Sequence, residues 1–199
     1  MATQISPELL IDAYARGFFP MAVAGGSIQW YSPDPRGVIP LDGFHIPHGT
    51  RKILADPAWE VRLNTAFEEV MRSCADRAET WIDDRIISIY VDLHRRGFAH
   101  SVEVWRDGQL AGGLYGVQLG GAFFGESMFH RVGGASKVAL IALHRILVTE
   151  GFKLLDIQWT TPHLEKFGAV EIPSRTYLLQ LNDALHCKAN FHAGIPAAP

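Results

Sequence analysis

The stretch Phe123-Phe124-Gly125-Glu126-Ser127-Met128-Phe129, followed closely by Gly133-Gly134-Ala135-Ser136-Lys137, decides how the chain folds. The first part reads as a strand and the second as a glycine turn opening a long helix. Glu126 is the odd residue in this stretch, a carboxylate set among three aromatics. Burying a lone charge costs on the order of several kcal/mol, so Glu126 must be paired, hydrogen-bonded or protonated if it is covered. Two readings stand: an edge-strand carboxylate facing water, or a functional anion in a cleft.

Upstream, the pattern has period two from Ala99 onward. Ser101–Trp105, the turn Asp107-Gly108 and Leu110–Leu119 give a hairpin. Gly120-Gly121 then leads into Ala122–Met128, and the three strands form an antiparallel meander. Gly112-Gly113 marks a bulge or a close backbone approach. Downstream, a helix runs to about Glu150 with Leu140, Leu143 and Leu147 on one face, and Gly151 ends it. Lys153–Trp159 follows as a strand. Alternation places Leu155, Ile157 and Trp159 on one face and Leu154, Asp156 and Gln158 on the other. Asp156 and Gln158 are therefore predicted to project side by side, as a carboxylate–amide relay. A short helix at Pro162–Phe167, a strand at Gly168–Ile172 and a closing helix capped by Ser174 complete the chain to about Leu185.

At the front, Ser6-Pro7 starts a helix with serine as N-cap and proline at the first helical position, and Gly17 stops it. Phe18-Phe19-Pro20-Met21 is apolar and non-helical, and Gly25-Gly26 is a turn. The prolines at 33 and 35 force extended or turn geometry. Trp30 and Tyr31 beside Arg36 offer either a stacking surface with a phosphate contact or hinge packing. Val38–Ile46 reads as a strand with irregular ends, and His48, Arg51 and Lys52 as a modest basic cluster. After a strand at Trp59–Leu63, Asn64 is expected to cap a helix through Ala75. Trp81 stands alone, and Asp83 caps a helix that buries Ile86, Ile89, Tyr90 and Leu93 and ends at Gly97.

Of the 199 residues, 48% are hydrophobic and 20% charged, ordinary for a globular protein, and the net charge is −3. That charge argues against duplex nucleic-acid binding through bulk electrostatics, while leaving room for a local basic patch. Two cysteines, Cys74 and Cys187, give no disulfide framework, and nine scattered histidines lack the short paired spacings of a zinc site. No metal is expected. A serine hydrolase is excluded by the lack of G-x-S-x-G. There is no internal repeat, the one low-complexity tract is Ile195–Pro199, and no signal peptide or run of membrane-span length is visible, so the cytoplasm is the expected compartment.

The order meander, glycine turn, long helix, strand, short helix is the layout of a GNAT-type acyltransferase, in which the middle strands splay and the acyl donor lies in the gap. The expected fold is α+β: a small N-terminal α/β extension over residues 1–34 and a GNAT-like catalytic domain over 35–199. Arg131-Val132-Gly133-Gly134-Ala135-Ser136 partly imitates the turn that binds the coenzyme A pyrophosphate at a helix N-terminus. A coenzyme A-dependent N-acetyltransferase is therefore the alternative.

A set of short motifs narrows this further. Tyr31-Ser32-Pro33-Asp34-Pro35-Arg36, Thr80-Trp81-Ile82, His100–Trp105, Gly112–Val117, Gly125–Phe129, Ala135-Ser136-Lys137 and Leu155-Asp156-Ile157-Gln158 follow one another in fixed order. On these the chain resembles the leucyl/phenylalanyl-tRNA–protein transferases, from about Leu9 to Leu185. The resemblance implies transfer of Leu or Phe, and less readily Met, from aminoacyl-tRNA to the α-amino group of a protein beginning with Arg or Lys. The product is a destabilising N-terminus for proteolysis. It implies no cofactor, and a monomer is expected.

Matched motif by motif, Asp156 and Gln158 fall on catalytic positions. Gln158 orients the attacking amine and Asp156 supplies negative charge, because an amide is a poor base. Glu126 falls on a position contacting the donor end or the acceptor amine. Trp81 falls on the residue that stacks the 3′-terminal adenine. Leu114, Phe123, Leu140, Leu143, Leu147 and Leu155 fall on the pocket for the transferred side chain, although such a stripe is also what plain core looks like. Arg36, Arg51, Lys52 and Trp30 are the expected tRNA contacts. The chain departs from the family where Met21 replaces a stacking tryptophan, with Trp30 as a substitute platform, where the N-terminal extension is shorter, where His48 and Ala55 thin the basic cluster, and where Leu143 replaces a residue often aromatic.

Overall fold

The computed structural model describes residues 5–23 and 27–191. The turn at Gly25-Gly26 and the tail at Ile195–Pro199 lie outside the described residues. In chain order the elements are α1 (Pro7–Ala15), β1 (Phe19–Ala22), β2 (Ile28–Tyr31), β3 (Arg36–Val38), α2 (His48–Leu54), β4 (Glu60–Leu63), α3 (Phe67–Ala75) and α4 (Asp84–Arg95). They continue with β5 (Ala99–Arg106), β6 (Gln109–Leu119), β7 (Ala122–His130), α5 (Ala135–Thr149), β8 (Leu154–Gln158), α6 (Pro162–Glu165), β9 (Val170–Ile172) and α7 (Ser174–Leu185). Among the described residues the main sheet runs β4-β5-β6-β7-β8-β3-β9, and β1 and β2 form a separate hairpin. This is the expected α+β arrangement.

The meander β5-β6-β7 is antiparallel throughout, with Val102 opposite Leu114 and Leu114 opposite Met128. Gly112 and Gly113 serve close approach. A Cβ on Gly112 would lie 2.6 Å from Ala135 Cβ, and one on Gly113 would lie 2.8 Å from Val102 O. The register shifts fall elsewhere, at Val104/Trp105 and Tyr115/Gly116. β7 and β8 pair in parallel over only three positions, the last being Phe124 opposite Asp156. Beyond that point β7 continues to His130 against β6 while β8 turns away, so the sheet splits at its middle.

Consecutive residues of β7 feed opposite faces, as the pleat requires. Phe124 packs with Tyr14, Val70, Ile86, Tyr90, Leu154 and Tyr177 under α1, α3, α4 and α7. Phe123 packs with Val102, Leu143, Ile146, Leu155 and Phe167 on the α5 side. Ile5, Leu10, Tyr14 and Phe19 join the first cluster, so the N-terminal elements share the core of the main sheet.

Helix starts written locally in the chain appear as expected. Ser6 Oγ accepts from Leu9 N at 3.2 Å, and Asp83 Oδ1 accepts from Arg85 N and Ile86 N at 3.0 Å each. Two other starts are made differently. Asn64 does not cap α3: it sits at φ +60° and its Oδ1 accepts from Ser101 N at 3.0 Å. The buried Glu103 of β5 instead fixes the two residues that lead into the helix, accepting from Thr65 N at 3.2 Å and Ala66 N at 3.3 Å. Ser174 does not cap α7: its own N–H donates to Asp34 Oδ1 at 3.0 Å. The strand expected at Val38–Ile46 is only Arg36–Val38, because Pro40 lacks a donor and starts a turn closed by Gly43 N to Pro40 O at 3.1 Å.

Glu103→Ala should therefore cost about 2–3 kcal/mol, since it strips charge-assisted bonds from the Thr65 and Ala66 N–H groups and from the Thr65 and Ser101 hydroxyls. Urea unfolding checks this, and a loss below about 0.5 kcal/mol would show these bonds to be unimportant.

Candidate active site

The split between β7 and β8 opens into a cavity of about 310 Å³. Leu114 of β6, Met128 of β7, Leu140 and Leu143 of α5, Leu155 of β8 and Leu164 of α6 form its apolar part. Leu114, Leu140, Leu143 and Leu155 were expected there. Phe123 and Leu147 were also expected, and they are not on the wall. Phe123 is fully buried against Phe152 and Phe191, with ring centroids 6.5 and 5.3 Å away. Leu147 lies one helical turn beyond Leu143 and is buried in the same core.

Glu126 and Trp81 reach the cavity as expected. Glu126 is half-buried, and the Tyr14 hydroxyl donates to its Oε1 at 2.6 Å. The Tyr90 hydroxyl lies 3.4 Å from its Oε2 and shares a short hydrogen bond with the Tyr14 hydroxyl, to which its single proton can go. Burial pushes this carboxyl up to about 8; the tyrosine bond opposes the shift, and nearby Asp156 adds to it. Burial and the Glu126 charge in turn hold the Tyr14, Tyr90 and Tyr115 hydroxyls above their ordinary range. Burial thus favours the neutral form of Glu126.

Gln158 lines the cavity and Asp156 does not, so they are not side by side. Simple alternation fails at one residue, because Gln158 adopts φ +61°. That left-handed backbone brings its side chain round to the face of Leu155 and Ile157. Asp156 holds the conformation by accepting Gln158 N–H on Oδ1 at 2.9 Å, and Trp159 N bonds back to Ile157 O at 2.7 Å. Gly37 of β3 passes so close that a Cβ there would lie 2.6 Å from the Trp159 carbonyl carbon. The Gln158 Nε2 and the Tyr115 hydroxyl are both buried on the cavity wall with no hydrogen-bond partner among the described residues.

Asp156 is instead fully buried against Arg36, with Arg36 Nε to Oδ1 at 2.9 Å and Nη2 to Oδ2 at 2.7 Å. The Tyr177 hydroxyl donates to Oδ2 at 2.7 Å, and Arg36 Nη1 donates to Gly17 O at 2.9 Å. Burial works against the Arg36 charge, but its bonds with Asp156 leave the guanidinium's pKa raised overall. The expected tRNA contact at Arg36 is therefore buried away from the surface, and Asp156 bonds the Gln158 backbone instead of lining the cavity. Trp30 is also not on the cavity wall: it sits on β2 opposite Pro20, 36% exposed. Arg51 and Lys52 lie exposed on α2, which packs on α5 through Ile53.

Other wall residues, Phe19, Arg77, Trp159 and His163, went unmarked as site residues in the sequence, and Met21, marked there as standing in place of a stacking tryptophan, is on the wall as well. Phe19 carried a weak signal as part of an apolar, non-helical run.

An antiparallel meander whose last strand parts from a parallel neighbour, with the site in the gap, is the frame of a GNAT-type acyltransferase. The chain belongs to the leucyl/phenylalanyl-tRNA protein transferase family: residues 38–182 match that family, and residues 3–34 match its N-terminal domain. It is thus an aminoacyltransferase acting between aminoacyl-tRNA and protein. Its relatives include the leucyl/phenylalanyl-tRNA–protein transferase of Salinibacter ruber, 53% identical over 93% of this chain and 82% of that one. The enzyme of the same name from Herpetosiphon aurantiacus is 51% identical over 96% of this chain and 100% of that one. Among solved structures, a ribosomal-protein-alanine N-acetyltransferase from Brucella melitensis biovar Abortus is similar at 14% identity, covering 69% of this chain and 96% of that one, with a TM-score of 0.41.

Two predictions follow from the site's electrostatics. Asp156→Ala leaves the Arg36 charge buried and unpaired, so it should lower stability by about 3–5 kcal/mol. Gln158→Ala should leave the urea midpoint nearly unchanged while turnover falls. Equal stability losses in the two variants would contradict the division of roles. For Glu126, the folded value of about 8 lies above the ordinary 4.5. Its contribution to stability is thus fully present below pH 4.5 and is lost as pH rises through about 8. Glu126→Gln should gain on wild type in thermal melts between pH 5 and pH 9, whereas a pH-independent difference would refute the raised value.

Proposed function

We propose that the protein transfers Leu or Phe, and less readily Met, from Leu-tRNA or Phe-tRNA to the α-amino group of proteins beginning with Arg or Lys. It acts in the cytoplasm as a monomer, and the product is an N-degron for proteolysis. The observation that carries this is the apolar cavity at the split of β7 and β8, with Glu126 and Gln158 on its wall. A slot lined by Leu114, Leu140, Leu143 and Leu155 admits a side chain unbranched at Cβ and crowds Ile or Val. Trp81 provides the face on which the 3′-terminal adenine stacks, worth about 1–3 kcal/mol. Residues 1–34 and 35–199 are taken as the two units, in keeping with family matches that part between residues 34 and 38.

The chemistry is aminolysis of an ester. The amine nitrogen attacks the ester carbonyl carbon, the ribose oxygen leaves, and the proton lost by the amine ends on that oxygen. Gln158 orients the amine, because an amide has no useful basicity. The ester is already activated, so alignment supplies much of the acceleration. The positive first residue of the acceptor favours ionised Glu126, turning a neutral carboxyl into its counter-ion. Basic acceptors are thereby preferred without a permanent buried charge.

The coenzyme A alternative is not favoured. Arg131 is held by Leu110 O at 3.2 Å and Ser73 Oγ at 2.9 Å. Ile53 of α2 packs on the glycine turn, 2.8 Å from where a Cβ on Gly134 would lie.

Leucyl-tRNA, a peptide beginning with Arg, and the protein should yield leucine on the peptide N-terminus, with at least about a hundredfold loss in Gln158→Ala. A parallel tube with acetyl-coenzyme A should stay silent; acetylation without leucyl transfer would overturn the proposal. Leu143→Phe fills part of the slot, so the Phe/Leu transfer ratio should fall relative to wild type. An unchanged or higher ratio would remove Leu143 from the specificity argument.

A further inference from the structure

The cavity's rim carries its charge unevenly. His163 and Thr161, at the start of α6, are on the wall, and Lys166 follows His163 by three residues, exposed. Lys137 stands in the first turn of α5, three residues before the wall residue Leu140 and so on the same side of the helix. His130 ends β7 two residues past the wall residue Met128, on the same face of the strand. Among the described residues, neither Lys137 nor Lys166 enters an ion pair. The acid nearest in sequence is Glu165, exposed on α6. Burial, and then Lys137, Lys166 and His130, hold the His163 imidazole below its ordinary value, as expected where cations gather without a compensating anion. The strip continues outward, since Ile53 packs α2 onto Gly134 at the head of α5, and α2 exposes Arg51 and Lys52. Arg77, also on the wall, is bonded to Ser127 Oγ at 3.2 Å.

We propose that Lys137 and Lys166, together with His130 and His163, form a phosphate track that guides the single-stranded 3′ end of the donor RNA from α2 to the cavity mouth. The inference rests on the donor assigned above. Charge selects the occupant. A strip of uncompensated cations on a chain of net charge −3 attracts a polyanion and repels an acceptor that begins with Arg or Lys. The same strip therefore sorts the two substrates: the RNA enters along α5 and α6, and the basic acceptor is left to the side of Glu126.

The test uses the double variant Lys137→Gln/Lys166→Gln. Filter binding of a non-hydrolysable, amide-linked leucyl-tRNA across a KCl series should show about tenfold weaker binding at low salt. The slope of log K against log salt should be shallower by about 1.4, the value for two lost single-strand phosphate contacts. In transfer assays KM for leucyl-tRNA should rise to match. KM for 3′-O-leucyladenosine, which has no internucleotide phosphate, should rise by less than about twofold. Equal losses with both donors, an unchanged salt slope, or a change confined to the acceptor KM would each overturn the track. A wild-type protein that binds the donor with the steeper slope yet transfers no leucine would refute the transfer reading and uphold the track. Leucyl transfer with identical slopes in wild type and variant would do the reverse.

Discussion

The buried pair of Arg36 and Asp156 is the interaction on which the site depends. Both side chains are fully covered. Removing two such ions from water costs several kcal/mol each in practice, and attraction offsets this only when geometry is good and the remaining lone pairs and protons are satisfied. Here the contact is two-pronged, Gly17 O takes a further guanidinium proton, and Tyr177 and the Gln158 N–H fill the carboxylate. The guanidinium also lies 5.0 Å from the Phe19 ring centre and 4.5 Å from that of Tyr177. One ion pair thus ties the end of α1, strand β3, strand β8 and helix α7 to a single point. What it fixes is the left-handed turn at Gln158. A non-glycine residue there carries strain on the order of 1 kcal/mol, tolerated because the surroundings over-determine it.

Glu126 shows the same low-dielectric interior used to the opposite end. Asp156 is matched by a two-pronged guanidinium, whereas Glu126 has only tyrosine hydroxyls and is driven towards its neutral form. The Asp156 charge adds to the rise of the Glu126 carboxyl. Arg36 settles the competition by belonging to Asp156. The result is one ion-paired, buried carboxyl that shapes the backbone and one carboxyl on the cavity wall that burial pushes towards its neutral form.

How much of this was legible in the chain depends on distance along it. Ser6, Asp83, Gly17 and Gly97 act on neighbours within a few residues, and the meander follows from alternation, so these elements could be read directly. Glu103 fixes the residues leading into a helix that begins 36 residues earlier in the chain, and Asp34 bonds the first N–H of one that begins 140 residues later; no local pattern records either partner. The tie between residues 36 and 156 is of the same kind, which is why Arg36 looked like a surface cation beside Trp30 and Tyr31. In β8, alternation holds from Leu154 to Ile157 and breaks at Gln158, because a positive φ at glutamine has no sequence mark. The leucine stripe gave the right kind of residue. It could not say that the strands part after Phe124, and that point separates Leu143, on the wall, from Phe123 and Leu147, in the core.

The split sheet explains why an acyl-transfer site belongs here. Where β7 and β8 stop pairing, backbone groups of both strands lose their ladder partners and a gap of side-chain width opens between two packed layers. The α5 side of that gap is apolar because it is continuous with the core beneath the helix, so an apolar side chain enters it at little cost. The opposite side carries the tyrosines and Glu126, which belong to the other layer. The cavity is therefore hydrocarbon at one end and carries hydrogen-bonding groups at the other, with Gln158 on its wall. Gln158 is held there through its backbone N–H by a buried charge, which fixes where its side chain leaves the chain.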